Sequence, residues 1–231
     1  MEDKTYADTF FVLDFDRCLG NTDRFHQILE RVITEETSLT AEEIQTGRRL
    51  IEEVGKSFDT ISFMRKSLKD RGSSTSWLDI QKRFVEQAKK EDVHQPFANE
   101  LLAMLDKMDI PYGIVTYGGE TWQLAKLEAA GFLSIPHIVT NIKEKGELLS
   151  GWRRDDGFII PPALTKDFRP LRVKKIIFLD DKAVSFQDMP EGVVGVHIQD
   201  PSGEVLPSQA GTLPAGVTSV TGLKGALELL F

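Results

Sequence analysis

Five short runs along the chain carry apolar side chains at successive rather than alternate positions: Phe10–Asp14, Tyr112–Thr116, His137–Thr140, Lys175–Asp180 and Val193–Ile198. Val, Ile and Phe dominate them. A strand is uniformly apolar only when both of its faces are covered, so these runs predict the strands of a parallel sheet packed between helices. Helical periodicity fills the intervals. Phe97–Met108 sets Phe97, Leu101, Met104, Leu105 and Met108 on one stripe, and Glu120–Ala130 stops at Gly131, a residue suited to helix ends. Strand alternating with helix predicts an α/β fold of the doubly wound, parallel-sheet kind.

The interval between the first two strands is too long for a single crossover, and most of it, residues 21–95, has helical periodicity. Thr22–Thr37 aligns Phe25, Ile28, Leu29, Val32 and Ile33. Thr40 followed by Glu43 is a capping box that opens a second helix. A third is predicted around Thr60–Leu68, and a fourth opens at Ser76 with Trp77, Ile80, Phe84 and Ala88 along one face. Helices with apolar stripes of their own predict a small helical module, residues 21–95, inserted into a core made of 1–20 and 96–231. Glu147–Ile160, with Arg154-Asp155-Asp156-Gly157 between apolar residues, reads as a hairpin with an Asp-Gly turn. Pro201–Gly216 reads as a surface loop before a last strand and a closing helix, Leu223–Leu230.

Composition narrows the function. The 231 residues are 41% hydrophobic and 28% charged, as in ordinary globular proteins. No apolar run approaches the roughly 20 residues that span a bilayer. Met1-Glu2-Asp3-Lys4 lacks the basic-then-apolar order of a secretory signal. The single Cys18 permits no internal disulfide and suits a reducing cytosol, so the expected location is cytoplasmic. A net charge of −8 argues against a nucleic-acid partner. Oligomeric state is not readable.

Chemistry concentrates at two strand ends. Phe11-Val12-Leu13-Asp14-Phe15-Asp16 places two carboxylates two residues apart at the carboxyl end of the first strand, and Asp180-Asp181 ends Ile176-Ile177-Phe178-Leu179. Ligands of open α/β sheets bind outside those ends. A lone strand-end Asp is more often a turn or helix-cap residue. Two acidic pairs, each closing an apolar strand, need compensation and together make a site for a hard cation with oxygen ligands. The four histidines show no paired zinc spacing, and Gly-x-Ser-x-Gly and Gly-x-Gly-x-x-Gly are missing.

Asp14-Phe15-Asp16-Arg17-Cys18-Leu19 resembles the first motif of the haloacid dehalogenase (HAD) superfamily, usually Asp-x-Asp-Gly-Thr-Leu. Val115-Thr116-Tyr117-Gly118-Gly119 resembles the second motif, and Phe178-Leu179-Asp180-Asp181 the fourth. The helical insert falls between the first and second motifs, where one class of the superfamily carries its cap. The resemblance implies a Rossmannoid core and a Mg²⁺-dependent phosphatase acting on a small phosphorylated metabolite. It further implies Asp14 as the nucleophile that forms an aspartyl-phosphate and Asp16 as general acid and base. Thr116 would bind a phosphoryl oxygen. Asp14, Asp180 and the Asp16 carbonyl would hold Mg²⁺, with Asp181 as a possible support behind them. For the lysine of the third motif, Lys166 is the choice, with Lys143 and Lys145 as rivals.

Two departures stand out. Arg17 replaces the usual Gly, so either the loop does without a positive φ or it differs. Cys18 replaces a Thr or Ser and reads as a packed, inert thiol rather than a second nucleophile. Trp122 reads as a packing residue. The exposed residues of the insert offered as substrate contacts are Arg24, His26, Arg48 and Arg65. Alternative readings are a phosphomutase, or a degenerate relative that binds a phosphorylated ligand or a protein partner without turnover.

Overall fold

The computed structural model describes residues 6–52, 60–202 and 211–231. It divides into two compact units. One comprises Met1–Asn21, His94–Tyr117 and Ser134–Phe231; the other comprises Thr22–Val93 and Gly118–Leu133.

The first unit is built on an eight-stranded sheet. Its strands are β1 (Tyr6–Leu13), β2 (Tyr112–Tyr117), β3 (His137–Thr140), β4 (Arg153–Arg154), β5 (Gly157–Ile160), β6 (Leu171–Asp180), β7 (Val193–Gln199) and β8 (Thr218–Thr221). Parallel pairing runs β3-β2-β1-β6-β7-β8. The β4-β5 hairpin pairs antiparallel with the amino-terminal half of β6, so the sheet is mixed rather than wholly parallel.

Two strands begin earlier than the apolar runs, β1 at Tyr6 and β6 at Leu171. In β6 the first half alternates, with Leu171 and Val173 buried and Arg172 and Lys174 exposed. Only the second half is covered on both faces, so only that half carries a continuous apolar signature. The hairpin also differs in detail. Glu147 belongs to a short helix, and the two-residue loop is Asp155-Asp156, because Arg154 pairs with Gly157 inside the strands. Gly157 serves a close approach instead: a Cβ there would lie 2.2 Å from the Val173 carbonyl oxygen, and its φ is 154°.

Helices cover both faces of the sheet. Phe10, Val12, Ile176 and Phe178 pack with Leu149, Phe158 and Phe186 on one side, where the Phe178 and Phe186 rings lie 5.0 Å apart. On the other, Phe11 stacks on Phe231 at 6.0 Å, beside the helices Ala98–Lys107 and Gly222–Leu230. Each fully buried Phe or Leu contributes about 1.5–3 kcal/mol, so Phe10–Leu13, buried on both faces, anchors β1 in the sheet.

The second unit is helical: α1 (Thr22–Glu36), α2 (Ala41–Glu52), α3 (Thr60–Asp70), α4 (Trp77–Ala88) and the later helix Glu120–Ala129. Phe25, Ile28, Leu29, Val32 and Ile33 form the buried stripe of α1. Reciprocal Thr40–Glu43 and Ser76–Asp79 capping boxes open α2 and α4. Residues 118–133 cluster here rather than with the sheet, because Trp122 packs against Phe84, ring centroids 4.9 Å apart. Of the insert residues offered as substrate contacts, the Arg48 side chain lies outside the described residues.

Candidate active site

The register of the sheet builds the site. Leu13 of β1 lies opposite Leu179 of β6, so Asp14 and Asp180, one residue on, emerge side by side. The Asp14 amide donates to the Leu179 carbonyl at 2.9 Å and fixes that pairing past the strand end. Chain order switches here: β1 leads to β2 on one side, and β6 leads to β7 on the other, the position where open α/β sheets form their ligand crevice. Thr116, fully buried near the end of β2, occupies the neighbouring strand.

Asp14, Asp180 and Asp181 are all buried, and each can present a carboxylate oxygen within 4.8 Å of the other two. Lys145, 2% exposed, reaches into the cluster. Its ammonium contacts Asp14 Oδ1 and donates to Asp180 Oδ2 at 2.7 Å. Asp180 Oδ1 accepts the Lys182 amide at 2.8 Å. Both oxygens of Asp180 are therefore engaged, whereas Asp14 Oδ2 is buried with no hydrogen-bond partner among the described residues. Behind the pair, His197 of β7 holds the loop in place. Its Nε2 donates to the Asp181 carbonyl at 3.0 Å, so in the neutral ring Nδ1 accepts from Ser219 Oγ at 3.1 Å.

The electrostatics follow from burial and charge count. Burial pushes the Asp14 carboxyl up to about 8, with the Lys145 charge opposing that rise and Asp180 reinforcing it. Burial alone would lower Lys145, but Asp14 and Asp180 outweigh it and raise the ammonium above its ordinary value. Lys182 behaves likewise, raised by Asp181, Asp14 and Asp180 against its burial. Three carboxyl groups thus face two ammoniums, and without a metal the proton held by Asp14 balances the charge. The unpartnered Asp14 Oδ2 fits a cation bound through oxygen in place of that proton.

The loop after Asp14 resolves the question raised by Arg17. Arg17 has a φ of 59°, the left-handed conformation that Gly would adopt without cost. Its amide donates to Gly20 O at 2.9 Å, while Leu19 and Gly20 both donate to Phe15 O, so the turn is closed by backbone bonds whatever side chain position 17 carries. Asp16 is half-buried in this loop and bridges Gly20. Cys18 is fully buried, and burial, then Asp14, raises its thiol well above the ordinary range.

Lys166 is the correction among the sequence-derived residues. It lies far from the acidic cluster, 71% exposed, with Nζ 3.1 Å from Asp106 Oδ1. It precedes β6, so it sits near the amino-terminal ends of the strands, whereas the acids lie at their carboxyl ends. Lys145, one of its rivals, is the lysine brought to Asp14; Lys143 sits over the Tyr117 ring instead. Lys145 opens the short helix Lys145–Ser150, and Gly146 lets that helix seat against the chain after Asp181. A Cβ on Gly146 would lie 2.0 Å from the Gln187 carbonyl oxygen. Lys182 went unremarked in the sequence; its only signal was adjacency to the acidic pair.

Comparison with protein-family models matches none of them, and comparison with curated proteins finds no relative. Solved structures do match. A protein from Burkholderia xenovorans assigned as a haloacid dehalogenase-like hydrolase is similar with a TM-score of 0.66 at 16% identity, over 96% of each chain. The chain has the haloacid dehalogenase-like fold. The HAD-hydrolase YfnB from Bacillus subtilis, solved bound to magnesium, is similar with a TM-score of 0.55 at 14% identity, over 96% of this chain and 98% of that one. A Thermotoga maritima protein assigned as a beta-phosphoglucomutase gives 0.54 at 16% identity, over 97% and 98%. In this fold it is the β1–β6 register that sets Asp180 beside Asp14. Among the described residues, no helix is long and apolar enough to cross a membrane.

Proposed function

We propose that the protein is a Mg²⁺-dependent phosphatase that hydrolyses a small phosphate monoester through a phosphorylated Asp14. The observation that carries this reading is the buried Asp14–Lys145–Asp180 constellation with Asp181 at hand, at the carboxyl edge of the sheet. Asp14, Asp180 and the Asp16 carbonyl would hold the ion, with Asp181 close enough to add an oxygen or to support them from behind. When bound, Mg²⁺ offsets the repulsion between an anionic nucleophile and an anionic substrate.

The chain's own residues supply the rest. Asp14 attacks phosphorus and the ester oxygen departs, dividing the hydrolysis into two easier displacements. Lys145, at Asp14 Oδ1, stands beside the attacking carboxylate and meets the charge that builds on the phosphoryl oxygens. Asp16 gives a proton to the leaving oxygen and then takes one from the water that attacks the phosphorylated Asp14. Thr116 hydrogen-bonds a phosphoryl oxygen. Substrate selection is assigned to the helical unit.

The test is Mg²⁺-dependent release of phosphate from an aryl phosphate, with Asp14→Asn as the control. Release that vanishes in the variant supports the reading, and no release at any Mg²⁺ concentration refutes it. The likeness to a protein assigned as a phosphomutase favours a second reading, in which a sugar hydroxyl rather than water receives the phosphoryl group. Product analysis with a hexose phosphate separates the two, since a mutase yields an isomer and no inorganic phosphate.

A further inference from the structure

A single peptide group ties the acidic cluster to the two strands beyond it. The Asp181–Lys182 peptide is held at both of its polar ends. Its carbonyl accepts from His197 Nε2 at 3.0 Å, and its N–H donates to Asp180 Oδ1 at 2.8 Å. The atoms of a peptide group share one plane, so a donor that fixes the direction of the carbonyl also fixes the N–H on the opposite side. Rotating that plane would swing the Lys182 amide away from Asp180 and leave a buried carboxylate oxygen without its partner.

His197 is placed to resist that rotation. It is buried, and it is the one side chain in the run Val193–Ile198 that can form hydrogen bonds. Strand register sets it opposite Asp180 on one side and Ser219 on the other. Ser219 Oγ donates to Nδ1 at 3.1 Å, which keeps the proton of the neutral ring on Nε2, facing Asp181. The Phe186 ring meets the imidazole edge-on at 6.0 Å and restrains its tilt. Asp180 is where this restraint matters. A carboxylate offers about four lone pairs; the Lys182 amide takes one at Oδ1 and Lys145 takes one at Oδ2. Those two bonds set the directions in which the remaining lone pairs point.

We propose that His197 is a positioning residue: through the Asp181–Lys182 peptide it fixes the Asp180 carboxylate, and with it the oxygen that Asp180 offers to Mg²⁺. The part that concerns the ion rests on the phosphatase reading above; the clamp on the peptide does not. Ser219, exposed on β8, is the outer end of the same relay.

The experiment is amide hydrogen exchange in the metal-free, ¹⁵N-labelled full chain, with the Asp14 amide, bonded to the Leu179 carbonyl, as internal reference. His197→Phe keeps a ring and removes the donor; His197→Gln restores an N–H at the place of Nε2. In His197→Phe the Lys182 amide should exchange about tenfold faster relative to Asp14, the loss of one hydrogen bond. His197→Gln should match wild type. If His197→Phe does not fold, His197→Asn takes its place, because its shorter amide reaches toward Ser219 and stops short of Asp181. Calorimetry on the same proteins should show Mg²⁺ affinity about tenfold weaker in His197→Phe and unchanged in His197→Gln. Lys182 and Asp14 amides that accelerate together, or a His197→Gln protein that behaves as His197→Phe does, would overturn the clamp. Wild-type Mg²⁺ affinity in a variant whose Lys182 amide is loosened would overturn the link to the ion. A wild-type chain that binds no Mg²⁺ defeats the phosphatase reading and the ion's part of this proposal, while the exchange comparison still decides the clamp.

Discussion

Lys145→Met asks most directly how the acidic cluster is held together. Met preserves length and apolar volume, so the change removes the charge and little packing. Lys145 is the partner of both Asp14 and Asp180, and removing one member of a buried ion pair typically costs about 3–5 kcal/mol, because a buried charge is left behind. Here the loss is limited at the low end of that range. Asp14 already stands near 8 and is mostly protonated at pH 7 in the metal-free protein, so removing the Lys145 charge only raises it further and costs little extra there. The kinetic loss should exceed the stability loss because the charge beside the attacking carboxylate and the phosphoryl oxygens is gone: a fall of about 100-fold or more in kcat, comparable to removing one oxyanion donor. The activity that remains should shift to higher pH. Lys166→Met is the control, since an exposed pair contributes about 0–1 kcal/mol. Urea unfolding followed by circular dichroism, together with kcat against pH for both variants, makes the comparison. A Lys145→Met protein within about 1 kcal/mol of wild type and fully active would refute the reasoning, as would an equal loss in Lys166→Met.

Three further outcomes are expected. In the metal-free protein the proton on Asp14 favours the folded state at acid pH, and that contribution is lost as pH rises through about 8. Mg²⁺ must displace the proton, so its apparent affinity should rise about tenfold per pH unit from 6 toward 8; calorimetry giving a flat profile without proton release would contradict this. Gly146→Ala, which drives a Cβ to 2.0 Å from the Gln187 carbonyl oxygen, should destabilise by about 1–3 kcal/mol and displace Lys145, lowering kcat more than a core substitution of equal cost. Cys18, buried and with its thiol raised, should resist iodoacetamide at pH 8 in the folded protein and react fully once unfolded; native labelling at the unfolded rate would show the thiol to be accessible.

The order of strands and helices was legible because each buried strand, doubly covered, writes a continuous apolar run, and each helix of the insert writes a 3.6-residue stripe. The capping boxes at Thr40 and Ser76 were readable for the same local reason, since both partners lie within one turn. Asp14, Asp180 and Asp181 could be named because an acid at the end of an apolar strand is conspicuous without any knowledge of its neighbours. Where β6 alternates at Leu171–Lys174, half-exposure diluted the signal and the strand was shortened.

What lay beyond the sequence was every choice made by packing between distant segments. Lys145 and Lys166 are both lysines in polar surroundings, and nothing local separates them. Lys145, 131 positions from Asp14 in the chain, is drawn to it because Gly146 lets its helix sit on the Gln187 backbone. The other is left at the opposite edge of the sheet with Asp106. The left-handed Arg17 and the commitment of Asp180 to Lys145 likewise depend on loop closure and register. Composition and periodicity report what a residue prefers; which partner it meets is decided by the three-dimensional path that brings the two together.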